Sequence, residues 1–290
     1  MFFRIMAVCL AVEGAAAFFR WQNDGLMITR LEVVSPRLPQ SLDGLKLVQV
    51  ADLHNKEFGV GQSRILGMIR QERPGLILLS GDLIDKRRTT AETMEPAREL
   101  LAGAAAIAPT CFVAGNHEAV VPFYPQLRRL GEEAGAVCLD GKLLRIGEGA
   151  DHLAVIGLPS PLLMGEEAFA RRLKELREEA GEDFTLLLSH HPEKIPLYKE
   201  AGVDLALCGH AHGGQFRLPV VGGLYAPGQG VLPRYTAGLY PLEGTGQMAV
   251  SRGLGNSRFP LRLFNRPQLL SITLRRQSDV GSSLCEGPNR

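Results

Sequence analysis

The chain has 290 residues, 45% hydrophobic and 22% charged, a composition that suits a folded globular body and excludes general disorder. Its 32 basic and 31 acidic side chains leave a formal net charge of +1, so nothing global drives binding to long nucleic acid, and no such partner is expected. Five cysteines in a chain this long make no disulfide scaffold, and without a CxxC pair they support neither a zinc knuckle nor a redox pair.

In chain order, the first segment is Phe2–Phe19, mostly apolar and interrupted by Arg4 and Glu13. Phe2 and Phe3 open it, and Phe18, Phe19 and Trp21 close it, a placement that suits the two interfaces of a membrane. A span needs about 20 apolar residues, and a charge such as Glu13 costs roughly 2.5–3.5 kcal/mol at mid-bilayer. Residues 1–21 are expected to be a membrane anchor or, through the small-residue run Ala15-Ala16-Ala17, a signal segment. The protein is accordingly expected to be membrane-associated, on a side that the balanced charges of Arg4 against Arg20 and Arg30 do not decide.

From Leu45 the chain alternates short apolar runs with helical patterns, a βαβ rhythm that predicts an α/β body over residues 22–275. The predicted strands are Leu45–Ala51, Leu76–Ser80, Thr110–Ala114, Leu153–Leu158, Phe184–Ser189 and Val203–Cys208. Helices are predicted over Gln62–Glu72, Ala91–Ala102, Tyr124–Glu133 and Glu166–Ala180, the last with Phe169, Leu173 and Leu176 on one face. Beyond Gly213 the chain turns Gly- and Pro-rich, and alternation at Gln247–Ser251 and Gln268–Leu274 predicts two strands closing a second sheet. Cys111 and Cys208 read as buried free thiols, while Cys9 falls in the apolar segment and Cys285 in a tail, residues 276–290, expected to be polar and mobile.

The chemistry lies where the strands stop. Of 7 histidines only His152 stands apart. The others follow apolar runs in LVQVADLH (Asp52, His54), CFVAGNHE (Asn116, His117), LLLSHHPE (His190, His191) and LALCGHAHGG (His210, His212), and LILLSGDLID adds Asp82 and Asp85. Residues just past the carboxyl ends of strands converge on one crevice in an α/β sheet. Pairs two apart, Asp52 with His54 and His210 with His212, would share a direction if the backbone there is still extended, so that each pair grips one ion. The donors are oxygen and imidazole without thiolate, which suits Mn, Fe or Zn. Asp52, His54, Asp82, Asn116, His190, His210 and His212 exceed the needs of one four-coordinate ion and fit two divalent ions sharing a carboxylate, an arrangement that serves phosphoryl transfer. His191 is left out of the donors because, as the immediate neighbour of His190, it would point elsewhere. Single motifs are weak, since Asp and Asn often follow strands as turn residues and helix caps; five in order are not.

The ordered set DLH, GDLID, GNHE, SHHP and GHAH resembles the calcineurin-like metallophosphoesterase superfamily. LDGLKLVQVADLH, GHAHGGQFRLP and AVSRGLGNSRFPLRLFNRPQLLSITL further resemble a bacterial branch of membrane-associated phosphodiesterases, some acting on UDP-2,3-diacylglucosamine-type lipid precursors. Ala51 and Ala211 depart from that branch, which usually has Ser and Thr there; neither is a donor. The resemblance implies a four-layer α/β/β/α sandwich of two mixed sheets flanked by helices. It implies that Asp52, His54 and His212 hold one ion, that Asn116, His190 and His210 hold the other, and that Asp82 bridges them. His117, oriented through a hydrogen bond that Asp85 accepts, would then be the acid that serves in-line attack by a metal-bridging hydroxide. The expected partner is a phosphoester or diphosphate, lipid-linked in the branch reading. The competing reading is a silent binding module of the same fold, or a phosphomonoesterase.

Overall fold

The computed structural model describes residues 2–148, 151–256 and 258–277. Most of the expected tail, with Cys285, lies outside them. In chain order the elements begin with α1 (Phe2–Asp24), β1 (Met27–Ser35), β2 (Lys46–Val50), α2 (Ser63–Glu72), β3 (Leu76–Leu79), α3 (Glu95–Ala105) and β4 (Thr110–Phe112). Next come α4 (Tyr124–Glu133), β5 (Val137–Cys138), β6 (Lys142–Glu148), β7 (Asp151–Gly157), α5 (Pro161–Met164), α6 (Glu166–Ala180), β8 (Phe184–Leu188), α7 (Ile195–Ala201) and β9 (Leu205–Cys208). Two short hairpins follow, β10–β11 (Arg217–Leu218, Gly222–Gly223) and β12–β13 (Tyr225–Ala226, Gly230–Val231), then β14 (Gly238–Pro241), β15 (Gln247–Val250) and β16 (Gln268–Arg276).

These strands form two mixed six-stranded sheets, ordered β1-β16-β2-β3-β4-β5 and β14-β15-β9-β8-β7-β6. Strands β2 to β5 run parallel, as do β15, β9, β8 and β7, while β16 is antiparallel to β2 and both β14 and β6 are antiparallel edges. The sheets face each other across an apolar layer that includes Leu47, Leu78, Val113, Leu153, Leu186, Leu207 and Ile272. Helices α2, α3 and α4 cover the outer face of the first sheet through Ile65, Ile69, Leu100, Leu101 and Leu127. Helices α6 and α7 cover the second through Phe169, Leu173, Leu176 and Tyr198. Both central sheets are thus buried on two faces, which is why β3 and β8 read as unbroken apolar runs. Each fully buried side chain of this kind contributes about 1.5–3 kcal/mol.

Two expectations are corrected, and one strand, β1, lay outside them. Of the two strands expected to close a second sheet, β15 lies in it beside β9, but β16 belongs to the first, between β1 and β2. The helix expected from Ala91 begins at Glu95, with Pro96 in its first turn and Thr93 Oγ1 accepting from Thr90 N in the turn before it. Strand β1 carries no strict alternation legible in sequence; it is a parallel edge strand fixed by its full-length register with β16.

Helix α1 reaches Asp24, beyond the expected segment, and exposes Phe3, Ile5, Met6, Leu10 and Val12. Among the described residues no helix is long and apolar enough to cross a membrane. Its C-terminal end is docked: Phe18 meets Phe264 edge-on at 6.0 Å, Arg266 lies over Trp21, and buried Gln22 accepts from Asn265 N. Of the cysteines, Cys111, Cys138 and Cys208 are buried free thiols and Cys9 is exposed.

Candidate metal centre

The candidate donors come from both sheets. Asp52 and His54 follow β2, Asp82 follows β3, and Asn116 and His117 follow β4, while His190 follows β8 and His210 and His212 follow β9. The crevice therefore lies where the carboxyl ends of two facing sheets meet, not along one open sheet. Hydrogen bonds sew the two ends together: both carboxylate oxygens of Asp52 accept from His210 N at 3.0 and 3.1 Å, and Gln49 Nε2 donates to Ser80 Oγ and to the Cys208 carbonyl.

The expectation of extended backbone at the paired donors is wrong. Asp52, His54, Asp82, His210 and His212 all have φ between 46° and 64°. The ladders stop at Val50, Leu79 and Cys208, and each donor sits in a left-handed turn beyond. Such conformations cost non-glycine residues about 1–3 kcal/mol and persist where the surroundings over-determine them. Here the restraint is visible: Glu118, buried, accepts from Asp82 N, Gly115 N and Ile84 N, and Asp82 Oδ1 accepts from His117 N. A Cβ on Gly115 would stand 2.2 Å from Asp82 Oδ1, so only glycine fits there.

All seven donors converge, six of them buried and Asn116 half-buried. His54 Nε2 and His212 Nε2 are 3.0 Å apart, and Asp52 Oδ1 is 3.6 Å from the latter. His190 Nε2 lies 3.1 Å from Asn116 Oδ1 and 3.2 Å from Asp82 Oδ2, which is also 3.7 Å from His54 Nε2. Asp52, His54 and His212 form one group of potential ligand atoms, and Asp82, His190 and His210 another. Asp52 and His54 thus share a group, whereas His210 and His212 are divided between two.

These donors fit two divalent cations. Ligand atoms about 2.1 Å from a common centre lie roughly 3–3.5 Å apart, which is the spacing seen here. Without a cation, two imidazole nitrogens facing each other at 3.0 Å satisfy only one donor and one acceptor. The electrostatics agree. Burial, with the like charge of Asp82, pushes Asp52 up to about 7. Burial also holds His54 and His210 down at about 3 and His212 well below its usual range, so these rings are neutral and able to ligate. Burial opposes ionisation of Asp82, but His190 outweighs it and holds that carboxyl well below the usual range. The same partner raises His190 to about 10 against its own burial, an ion pair that a cation would replace.

The hydrogen bond expected between His117 and Asp85 is not made. The closest approach, to Nδ1, is 3.8 Å, and that nitrogen instead accepts from Lys86 N at 3.0 Å. Asp85 accepts from Arg88 Nη2 at 2.6 Å and from Arg87 N. His117 stands by the donors, its Nε2 3.9 Å from Asp82 Oδ2 and its ring 4.5 Å from that of His54. His152 lies apart, near Asp183.

Several supporting residues escape motif reasoning. Asn265 Nδ2 donates to the carbonyls of His212 and Gln215, and Gln22 of α1 holds Asn265 in turn. Arg262, completely buried, donates to the carbonyls of Arg252, Gly255 and Asn265 and to Asn256 Oδ1, and burial lowers it to about 10. Only the segment GNSRFPLRLFNRP hinted at them; Gln22 left no signal. Gly213 and Gly214 are required by packing: a Cβ on the first would strike Asn265 and on the second Gly223. Beside His54 a cleft of about 320 Å³ opens between Asn55, Lys56, Arg88, Asn256 and Pro260.

Comparison with known proteins bears on the same residues. The family model described as calcineurin-like phosphoesterase matches residues 45–214, which hold every donor. The uncharacterized metallophosphoesterase YkuE of Bacillus subtilis is 28% identical over 95% of this chain and 95% of its own. The phosphodiesterase YaeI of Escherichia coli is 28% identical over 94% of this chain and 97% of its own. The crystal structure of TT1561 from Thermus thermophilus shares the fold, with a TM-score of 0.51 and 14% identity over 73% of this chain and 90% of that one.

Proposed function

Because the chain belongs to the calcineurin-like phosphoesterase family and is a hydrolase acting on phosphoester bonds, we propose that it cleaves phosphodiester or diphosphate bonds of a lipid-linked substrate at a membrane surface. The observation that carries the hydrolytic part is the convergence of seven donors, six of them buried, from five strand ends. In this reading Asp52, His54 and His212 hold one divalent ion, Asn116, His190 and His210 hold the other, and Asp82 is shared between them. Such a pair supplies Lewis acidity, acidifying water and polarising a phosphoryl oxygen.

The chain's own residues do the rest. His117 is held by the Lys86 N–H on Nδ1, so the neutral ring carries its proton on Nε2. An imidazolium there would set its own Nδ1–H against that backbone donor, and burial lowers the ring's affinity for a second proton further. His117 therefore acts as a neutral donor through Nε2 toward a phosphoryl or leaving oxygen. Asp85 fixes Arg88, which also donates to the Asn256 carbonyl and walls the cleft beside His54, where a leaving group would lie.

Support for a membrane surface comes from an apolar band at the rim. Exposed Trp21, Phe259, Leu261 and Phe264 continue from the exposed face of α1, and Phe259 meets Phe216 at the root of the hairpins. Apolar surface beside a charged site suits an enzyme drawing an amphiphile from a lipid layer. The test is hydrolysis of bis(p-nitrophenyl) phosphate with Mn added and again after chelation, then a screen of nucleotide-diphospho-lipids against simple mono- and diesters. Absence of any metal-dependent hydrolysis overturns the proposal, and a preference for soluble esters removes its lipid part.

A further inference from the structure

His191, set aside as a donor, is the middle of a relay that ends beside the metal centre. Leu162 N donates to Ser160 Oγ at 3.3 Å, and that hydroxyl lies 2.9 Å from His191 Nε2. The other ring nitrogen, Nδ1, lies 2.8 Å from Glu193 Oε1. With a single proton on the ring the arrangement is fixed: a carboxylate oxygen accepts, so a neutral His191 donates from Nδ1 and accepts the Ser160 hydroxyl proton on Nε2. The carboxylate so held is 3.8 Å from His210 Nε2, and the His191 ring packs on the His210 ring at 4.4 Å.

Two further features fix Glu193 there. Tyr198 Oη donates to the His191 carbonyl at 2.7 Å, anchoring the turn. Gly228, at φ 73°, leaves the space that the carboxylate fills, since a Cβ would stand 2.7 Å from Oε1. Among the described residues the second oxygen, Oε2, is buried and accepts no hydrogen bond.

We propose that Glu193 is a positioning residue for His210. It takes the Nε2 proton of that ring and leaves Nδ1 for the ion shared with Asn116, Asp82 and His190, while Ser160 and His191 hold the carboxylate in line. A ligating imidazole whose other nitrogen donates to a carboxylate is fixed in tautomer and orientation and made more basic. A small rotation of the His210 ring closes the 3.8 Å gap, as outer contacts tighten when a site is filled. The inference rests on the dinuclear reading above.

The test measures affinity for each ion, not turnover. Full-length protein is stripped with chelator and titrated with Mn against a competing chelator, and the melting temperature of the stripped protein is recorded. Wild type is expected to bind two ions. Glu193→Gln is expected to keep the first at wild-type affinity, weaken the second by about 10–100-fold, and leave the stripped protein's melting temperature nearly unchanged. Glu193→Asp should recover part of the loss. Unchanged affinity for both ions in Glu193→Gln overturns the proposal, as does equal loss of both together with a fallen melting temperature. Three ions in wild type and two in the variant would make Glu193 a ligand and overturn it too. If Glu193→Gln does not fold, His191→Ala carries the test: a loss confined to the second ion supports the relay, and wild-type affinity ends it. Failure of wild type to bind two ions overturns the dinuclear reading itself.

Discussion

The backbone N–H of Lys86 donates to Nδ1 of His117 at 3.0 Å, occupying the nitrogen for which Asp85, at 3.8 Å, is the nearest carboxylate. The ring is thus oriented by backbone rather than by an acid. His117→Ala is expected to retain both ions and lose about 10²–10³-fold in turnover, the usual worth of one hydrogen-bond donor aimed at developing charge. Asp85→Asn should lose far less, because the Lys86 contact survives. Steady-state rates of the two variants decide it; equal losses would mean that the carboxylate holds the ring after all.

Asp82 approaches rings of both groups, 3.2 Å from His190 and 3.7 Å from His54, while Asp52 lies 3.6 Å from His212 but 3.9 Å from His190. Asp82→Asn removes the charge that both ions would share. Metal content of the purified variant should fall below two per chain, and turnover should drop by at least about a hundredfold. A variant with full metal content would show that Asp82 is not shared.

Asn265 ties the turn of His212 to the C-terminal segment, donating at 2.7 Å to the His212 carbonyl and at 3.0 Å to that of Gln215. Asn265→Ala leaves two buried carbonyls without this donor, a loss of about 1–3 kcal/mol on chemical denaturation. The ion held with Asp52 and His54 should weaken at the same time. Wild-type stability would mean that water replaces the amide.

Removing the ions leaves Asp52, Asp82 and four ligating rings packed with only the pairing of His190 and Asp82 to offset their charge. A ligand present at 100 times its dissociation constant stabilises by about 2.7 kcal/mol, so chelation should lower the melting temperature by roughly 5 °C or more. Calorimetry with and without chelator checks it. An unchanged transition would mean that no cation is bound.

At the far end of the sheet, Arg30 of β1 grips Glu72 at the end of α2 through Nε at 3.1 Å and through a second, closer contact. Hydrogen bonding from Arg30 holds the Glu72 carboxyl below its ordinary value of 4.5. A depressed carboxyl stabilises the fold above its unfolded-state value and loses that contribution as pH falls through the folded one. Glu72→Gln should therefore flatten the acid limb of the stability profile below about pH 4.5, by less than about 1 kcal/mol because Arg30 is largely exposed. A limb as steep as wild type would assign acid lability to other groups.

The order of motifs along the chain determined which residues can meet, because apolar runs that become strands leave their polar followers at one end of a sheet. That reasoning needs only local pattern, so it extends to the donors, to most strands, and to α6 with its apolar face. It could not extend to sheet membership: Gln268–Arg276 alternates like Gln247–Val250, and only packing decides that one lies in each sheet. Nor could it extend to the left-handed turns at Asp52, Asp82 and His212, whose strain is held by partners far off in sequence, Glu118 and Asn265 among them. The setting of His117 by a backbone donor and the relay from Ser160 to Glu193 belong to the same class. They depend on ångström-scale distances between segments that no periodicity encodes, and the tertiary structure alone decides them.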